Sequence, residues 1–320
     1  MMKKFTLLFI FISIATFSQN FEVVDAKVLN YPRFNKVEDL ANKIEKDFIT
    51  DADKARAAFF WLAKNIRYNL KEYYSPRKRS YRFKFSSEEE RLQKIQAIND
   101  SFIAATFKNK MGVCEEYAQS FKKICDLLNI EAAVIKGNVR SNASEIGTIS
   151  NNTNHAWNAV KINGKWLILD VTWAAGYEYN GKWIRKFNEY FYNIPTDKIF
   201  KTHYPKEAIW VLNFGRMSLE EFYKQPIYTN TFLALETELL APKTGIINLK
   251  KTENIFLEFK DLDSSFQIIY AITGNKYAQK PIITIKDDIA TLTIKNPNRN
   301  ADLSLYINNK DALHFKVIVQ

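Results

Sequence analysis

The sequence predicts an α+β protein in which helices and an antiparallel sheet are followed by a small all-β sandwich of immunoglobulin-like type. Residues 52–70 and 113–128 carry apolar side chains at helical spacing. Residues 155–173 contain two alternating runs around an Asn-Gly pair, which is a strong hairpin signal. Beyond about residue 225, seven short β-rich runs are separated by Asn, Asp, Gly and Pro.

The first residues are typical of a signal peptide. Two lysines precede an apolar run from Phe5 to Phe17, which is shorter than the roughly 20 residues needed to cross a bilayer. Thr16 and Ser18 provide the small-residue spacing for cleavage after Ser18. We therefore expect residues 1–18 to be removed, and the mature protein to be exported (periplasmic or secreted) without a transmembrane segment.

The rest of the chain is longer than one hydrophobic core usually organises, so two domains are expected. The change in character near residue 225 divides them into residues 19–225 and residues 226–320. The second part does not gather catalytic residue types. We interpret it as a structural or interaction module that could bind a cell-surface partner.

The composition is that of an ordinary globular protein, with 47% hydrophobic and 25% charged residues. A net charge of +11 could suit nucleic acid, an anionic membrane or an acidic partner. For an exported protein a solvated basic surface is the simpler interpretation, and we predict no nucleic-acid partner.

Two helices are expected before the cysteines. Residues 52–70 form one, and residues 88–105 form another. Between them, residues 71–84 are basic and rich in aromatic side chains, a composition that could stack on nucleic acid. An exposed, strand-like excursion is the alternative that we favour.

The chain has two cysteines, Cys114 and Cys125, on one predicted helix. Eleven residues of helix separate their Cα atoms by roughly 16 Å, whereas a disulfide allows at most about 7 Å. They cannot bridge each other. Cys114 lies at the helix start, where the unpaired amides and the helix dipole stabilise a thiolate; a buried packing role is the alternative, and it is the one we assign to Cys125.

The hairpin predicts a histidine–aspartate contact. If the Asn-Gly pair forms a two-residue turn, Trp157 lies opposite Asp170 and His155 lies opposite Thr172. All four side chains then share one face, and Asp170 is the diagonal neighbour of His155. Such a carboxylate orients an imidazole and stabilises the imidazolium that forms when the ring takes a proton from a nucleophile.

Each of these residues has an ordinary explanation by itself. A cysteine on an apolar helix face is commonly a packing residue, a histidine on a strand can be a core residue, and an aspartate at a strand end often caps a turn. The stretches "GVCEEYAQSF" and "NHAWNAVKINGKWLILDVTWA" together are far more specific.

These two stretches resemble the transglutaminase-like superfamily of papain-related cysteine enzymes. "ARAAFFWLAKNIRYN" is similar to the helix that precedes the core of this superfamily, and "THYPKEAIWVL" resembles a segment of its kyphoscoliosis-peptidase and cytokinesis-protein branch. The resemblance implies a papain-like core, with a nucleophile helix packed on an antiparallel sheet. It also implies that Cys114, His155 and Asp170 are nucleophile, base and orienting residue.

The resulting hypothesis is acyl transfer through a thioester on a protein or peptide substrate. We favour a peptidase, in which water resolves the thioester; a transglutaminase or deamidase is the alternative. A non-catalytic surface binding module with a relic triad is the alternative from another class.

Three further predictions concern the surroundings of the site. Trp157 and Trp173 flank the predicted pair and could wall a substrate site, although aromatic packing is the simpler role. His203 is assigned a structural role. The three histidines are scattered without metal-binding spacing and no glycine-rich phosphate loop is present, so no metal or cofactor is predicted.

Overall fold

The computed structural model describes residues 21–76 and 82–320 of the chain. The predicted signal peptide, residues 1–18, and part of the basic segment lie outside the described residues. No helix within the described ranges has the length and apolar character required to cross a membrane.

The described residues contain ten α-helices. They are α1 (Phe21–Leu29), α2 (Val37–Asp47), α3 (Asp51–Asn65), α4 (Leu70–Tyr73), α5 (Glu88–Asn109), α6 (Cys114–Leu127), α7 (Val171–Ala175), α8 (Ala208–Phe214), α9 (Leu219–Lys224) and α10 (Asn230–Leu233). The predicted α+β class is confirmed.

The strands fall into two groups along the chain. Those of the N-terminal part are β1 (Arg67–Tyr68), β2 (Met111–Gly112), β3 (Ala132–Val139), β4 (His155–Ile162), β5 (Lys165–Leu169), β6 (Gly176–Tyr179), β7 (Lys182–Arg185) and β8 (His203–Pro205). Those of the C-terminal part are β9 (Ile227–Tyr228), β10 (Glu238–Ala241), β11 (Ile246–Leu249), β12 (Ile255–Lys260), β13 (Ile268–Ile272), β14 (Ile282–Lys286), β15 (Ile289–Ile294), β16 (Ala301–Ile307) and β17 (Lys310–Val319).

Helix α3 is the centre of the N-terminal core, and α1, α2, α6 and α7 pack around it. The hydroxyl of Thr50 caps its first turn by accepting from the backbone N–H of Asp53 at 3.1 Å. Arg56 is only 1% exposed, and its guanidinium pairs with Asp25 and Glu189, each at 2.6 Å. A buried charge requires such partners, so this cluster ties α1 and α3 to the segment that follows β7.

The predicted first helix is shorter than expected. It ends at Asn65 instead of residue 70, and the chain continues into β1, which pairs in parallel with β2. This pairing sets Tyr68 beside Gly112, two residues before Cys114. The tertiary partner β2 therefore overrides the helical periodicity at this end.

Helix α6 packs on a four-stranded antiparallel sheet with the order β5-β4-β3-β8. The predicted hairpin register is confirmed from the pair Ile162 and Lys165 to the pair Asn158 and Leu169. Both turn residues have positive φ, 50° and 75°, as a tight turn at Asn-Gly requires.

Beyond Leu169 the expected pairing is wrong. Strand β5 ends there, and Asp170 becomes the cap of α7, accepting from the backbone N–H of Trp173 at 3.0 Å. Thr172 consequently lies in a helix and not in a strand opposite His155. An aspartate before a short helical turn satisfies an otherwise unpaired N–H, and the alternating pattern did not reveal this.

The C-terminal part is a sandwich of two sheets, with the orders β10-β12-β15-β14 and β11-β17-β16-β13. All seven strands expected from the sequence are present, as β11 to β17. The side chains that face each other between the sheets are buried, among them Leu257, Phe259, Leu292, Leu303, Leu305 and Phe315.

Gly137 lies where β3 runs between β4 and β8, paired with His155 on one side and with Pro205 on the other. A Cβ atom here would lie 2.1 Å from the carbonyl oxygen of Tyr204 and 2.5 Å from the ring of Trp157. We expect Gly137→Ala to lower the free energy of unfolding by about 1–3 kcal/mol, as measured by urea denaturation, because overpacking forces backbone shifts.

Gly164→Asn is the control for this substitution. A Cβ at Gly164 meets no atom within 4 Å, and Asn tolerates the left-handed conformation of the turn. Its effect should stay within about 0.5 kcal/mol. Equal losses for the two variants would contradict the close approach at Gly137.

Candidate catalytic site

Cys114 is the first residue of α6 and is partly exposed. The helix start is capped by Glu116, whose carboxylate accepts from the backbone N–H of Val113 at 2.8 Å. Glu115 pairs with Lys136 at 3.1 Å. Glu116 is thus a cap of the helix start, and Glu115 is a partner in a surface ion pair.

The other cysteine has a different environment. Cys125 lies on the same helix, is fully buried and is also a free thiol. Burial in apolar surroundings raises the pKa of its thiol well above the usual range. An uncharged, inaccessible thiol is a packing residue.

His155 begins β4, and Asp170 directly follows the adjacent strand β5 as the cap of α7. The Nε2–H group of His155 donates to Oδ2 of Asp170 at 2.6 Å. The contact that the hairpin register predicts is therefore present, although Asp170 reaches it from a helix cap. Since Nε2 is occupied by Asp170, Nδ1 is the ring nitrogen that is left for the Cys114 thiol, whose nearness helps to raise the pKa of His155.

The buried carboxylate of Asp170 accepts three hydrogen bonds. Besides His155, the Nε2–H group of His203 donates to Oδ2 at 3.1 Å, and the backbone N–H of Trp173 donates to Oδ1. Burial acts to raise the pKa of Asp170, but the charge of His155 and the hydrogen bonds from the two histidines outweigh burial, so the pKa lies well below the usual range. Asp170 is an anion at neutral pH.

The pKa of His155 is raised to about 10. Burial by itself lowers it, but the negative charge and hydrogen bond of Asp170, aided by Cys114, outweigh burial. His155 is therefore an imidazolium at neutral pH.

Tyr68 also lies near the thiol and was not predicted as a site residue. It lines the same cleft as Cys114, and its ring stacks on Trp183 with centroids 5.2 Å apart. Burial raises the pKa of this phenol, so it remains a protonated donor. Its position depends on the pairing of β1 with β2, and the only trace in the sequence is its place at the end of the α3 pattern.

His155, Asp170 and His203 bring three ligand-type atoms within 4.8 Å of one another. The spacing does not fit one metal ion well. Two ligands of a tetrahedral zinc at about 2.0–2.1 Å lie about 3.3 Å apart, whereas the His155 and Asp170 atoms are 2.6 Å apart. Charge-assisted hydrogen bonds account for the geometry.

The two tryptophans lie beside the site. Trp157 is 1% exposed, and its ring centroid lies 6.2 Å from that of His155. Trp173 lies 5.7 Å from His155 by the same measure. Both pack against the imidazole, and their assignment to substrate binding stays a prediction.

A cleft of about 1310 Å³ opens over Cys114 and His155. Helix α5 and the chain around α4 and residues 82–85 provide most of its walls. The walls are mainly aromatic and aliphatic, with Tyr68, Tyr73, Tyr74, Phe83, Phe85, Ile95, Ile98 and Phe102. A cleft of this size can take an extended polypeptide segment at the thiol.

The mixed helix-and-sheet fold contains a transglutaminase-like core. A family model for the transglutaminase-like superfamily matches residues 38–171, which include Cys114, His155 and Asp170. The resemblance to the transglutaminase-like superfamily that the sequence indicated is therefore confirmed for this part of the chain.

Two curated relatives are kyphoscoliosis peptidases, the branch indicated by the sequence. The human kyphoscoliosis peptidase is 24% identical over 245 residues, which cover 74% of this chain and 34% of that protein. The mouse kyphoscoliosis peptidase is 24% identical over 230 residues, covering 71% and 32% respectively. The resemblance to this branch is confirmed, and the chain spans about a third of the length of these curated relatives.

One solved structure, described as the crystal structure of a TGase, aligns with 56% of this chain and 38% of its own chain. The sequence identity is 16% and the TM-score is 0.27.

Proposed function

We propose that the chain is an exported cysteine enzyme that cleaves peptide or carboxamide bonds through a thioester on Cys114. One observation carries the proposal: Cys114 and His155 line the same open cleft, and the His155 ring is hydrogen-bonded to the buried Asp170 carboxylate. Relatives named as peptidases support hydrolysis. Cleavage near Ser18 and a partner-binding role for residues 226–320 are part of the proposal.

In the first half of the reaction, the thiolate attacks the carbonyl carbon of the substrate, and the carbonyl electrons move to the oxygen. The backbone N–H of Cys114 and the hydroxyl of Tyr68 are the donors available to this oxyanion. The Nδ1–H group of His155 then protonates the leaving amine as the C–N bond breaks. A thioester on Cys114 and a neutral His155 remain.

In the second half, His155 accepts a proton from water while the water oxygen attacks the thioester carbon. Collapse of the tetrahedral intermediate breaks the C–S bond, releases the acid and restores the thiolate and imidazolium. Asp170 keeps its negative charge and holds the ring in both halves. With an amine in place of water, the same steps give a transglutaminase.

The test is the pH dependence of Cys114 alkylation by iodoacetamide, followed by peptide mass spectrometry in wild type and in His155→Ala. We expect Cys114 of the wild type to be alkylated at pH 6 at least about tenfold faster than Cys114 of His155→Ala, because the imidazolium favours the thiolate. Cys125 is the internal control and should stay unlabelled while the protein is folded. Equally slow labelling of Cys114 in both proteins would rule out the enzymatic proposal.

A further inference from the structure

We propose that His203 is a positioning residue of the same site, a neutral imidazole whose Nε2–H group keeps Asp170 ionised and the catalytic proton on His155. The inference rests on the function proposed for Cys114, His155 and Asp170. It gives a role in the site to His203, for which only a structural role was predicted from the sequence.

The geometry places His203 behind the carboxylate. It begins β8 and is fully buried, and β8 pairs with β3, so that His203 lies opposite Val139. Its ring is packed between the rings of Trp157 and Trp173, with centroids 4.9 Å and 4.8 Å away. The ring therefore has little freedom to turn.

The hydrogen bonds determine which nitrogen of His203 carries the proton. An ionised Asp170 can only accept, so Nε2 of His203 must be the donor in their 3.1 Å contact. Nδ1 lies 2.7 Å from Oγ1 of the buried Thr202. In the neutral ring Nδ1 is an acceptor, and the Thr202 hydroxyl donates to it.

The charges around the ring favour the neutral form. Burial lowers the pKa of His203, and the positive charge of His155 from β4 lowers it further, against the opposing hydrogen bond and charge of Asp170. Asp170 and His155 are the two charged groups that act on the His203 ring, and Cys114 from α6 and Tyr68 from β1 face this pair in turn. A second positive ring would be buried beside His155 without an anion of its own.

The function of this arrangement follows from the oxygen that is shared. His155 and His203 both donate to Oδ2 of Asp170. A donor to the carboxylate stabilises its anionic form, so the His203 hydrogen bond opposes transfer of the proton from His155 to Asp170. Without the His203 hydrogen bond, a larger fraction of the His155–Asp170 pair exists as neutral imidazole and carboxylic acid. The Cys114 thiolate then loses the positive charge beside it.

The test compares His203→Leu, which removes the donor, with His203→Gln, which keeps a neutral donor, in the Cys114 alkylation profile. We expect Cys114 of the leucine variant to be alkylated about fivefold more slowly than that of the wild type at pH 6. The rise of the alkylation rate on the acidic side of the profile should shift to a pH about one unit higher. The glutamine variant should restore most of the wild-type profile. Thermal unfolding of both variants reports separately on packing.

Three outcomes are distinguishable. If His203→Leu keeps the wild-type profile while His155→Ala loses fast labelling, the role of His203 is wrong and the proposed function stands. If His155→Ala also labels like wild type, the proposed function has failed. If the leucine variant does not fold, the ¹⁵N NMR spectrum of the histidines in the wild-type protein provides the test. We expect His203 to be neutral and protonated at Nε2 from pH 5 to 8. A charged ring, or one protonated at Nδ1, would overturn the inference.

Discussion

Cys114→Ala is expected to lower turnover by at least about 10⁴-fold, because loss of the nucleophile removes the thioester route altogether. The assay incubates the protein with a peptide library and identifies new termini, new acids and new amine adducts by mass spectrometry. Cys125→Ala is the matched control. It changes a buried thiol of the same helix and should keep activity if the protein folds.

Equal turnover by wild type and Cys114→Ala would contradict the assigned nucleophile. The same assay, repeated with an added primary amine, separates the two fates of the thioester. New termini in the absence of amine identify a peptidase, and conversion of glutamine side chains to acids identifies a deamidase. Adducts that form at the expense of hydrolysis identify a transglutaminase.

Asp170→Ala is expected to lower the free energy of unfolding by about 3–5 kcal/mol. The substitution leaves a buried imidazolium without its anion and removes the acceptor for His203 and for the backbone N–H of Trp173. Urea denaturation at pH 6 measures the change. Asp311→Ala is the matched control, because Asp311 also pairs with a histidine, His314 at 2.9 Å, but is exposed.

The control should cost less than about 1 kcal/mol. If Asp170→Ala costs as little, the carboxylate is not the buried anion that the hydrogen bonds indicate. Asp170→Asn keeps the volume of the side chain, and its free energy of unfolding should lie between those of wild type and Asp170→Ala. It should still lose fast labelling of Cys114 at pH 6, because a neutral amide does not favour the imidazolium.

The pH dependence of this stability has a definite sign. The pKa of Asp170 is lowered by folding, so its contribution is present above about pH 4, the unfolded value, and is lost as the pH falls through the folded pKa. The pKa of His155 is raised to about 10, so its contribution is complete below about pH 6.5 and is lost as the pH rises toward 10. The difference between wild type and Asp170→Asn should therefore shrink between about pH 6.5 and pH 10.

Much of the fold could be predicted because it rests on local patterns. The helical stripe of α6, the Asn-Gly turn and the seven β-rich runs each depend on residues close in sequence, and all of them are found. The His155–Asp170 contact could also be predicted, because the two-residue turn brings the end of β5 near the start of β4, although Asp170 makes the contact from the cap of α7. The C-terminal ends of α3 and β5 could not be predicted, because the pairing with β2 and the cap of α7 decide those boundaries.

The sequence by itself determined the α+β class, the helix that presents Cys114 and the hairpin that joins His155 to Asp170. Only the tertiary structure decided that Tyr68 lies near the thiol and that His203 reaches the carboxylate. The reason is physical. These two positions depend on β1 pairing with β2 and β8 pairing with β3, between segments that are distant along the chain, and no periodicity in the sequence records such pairings.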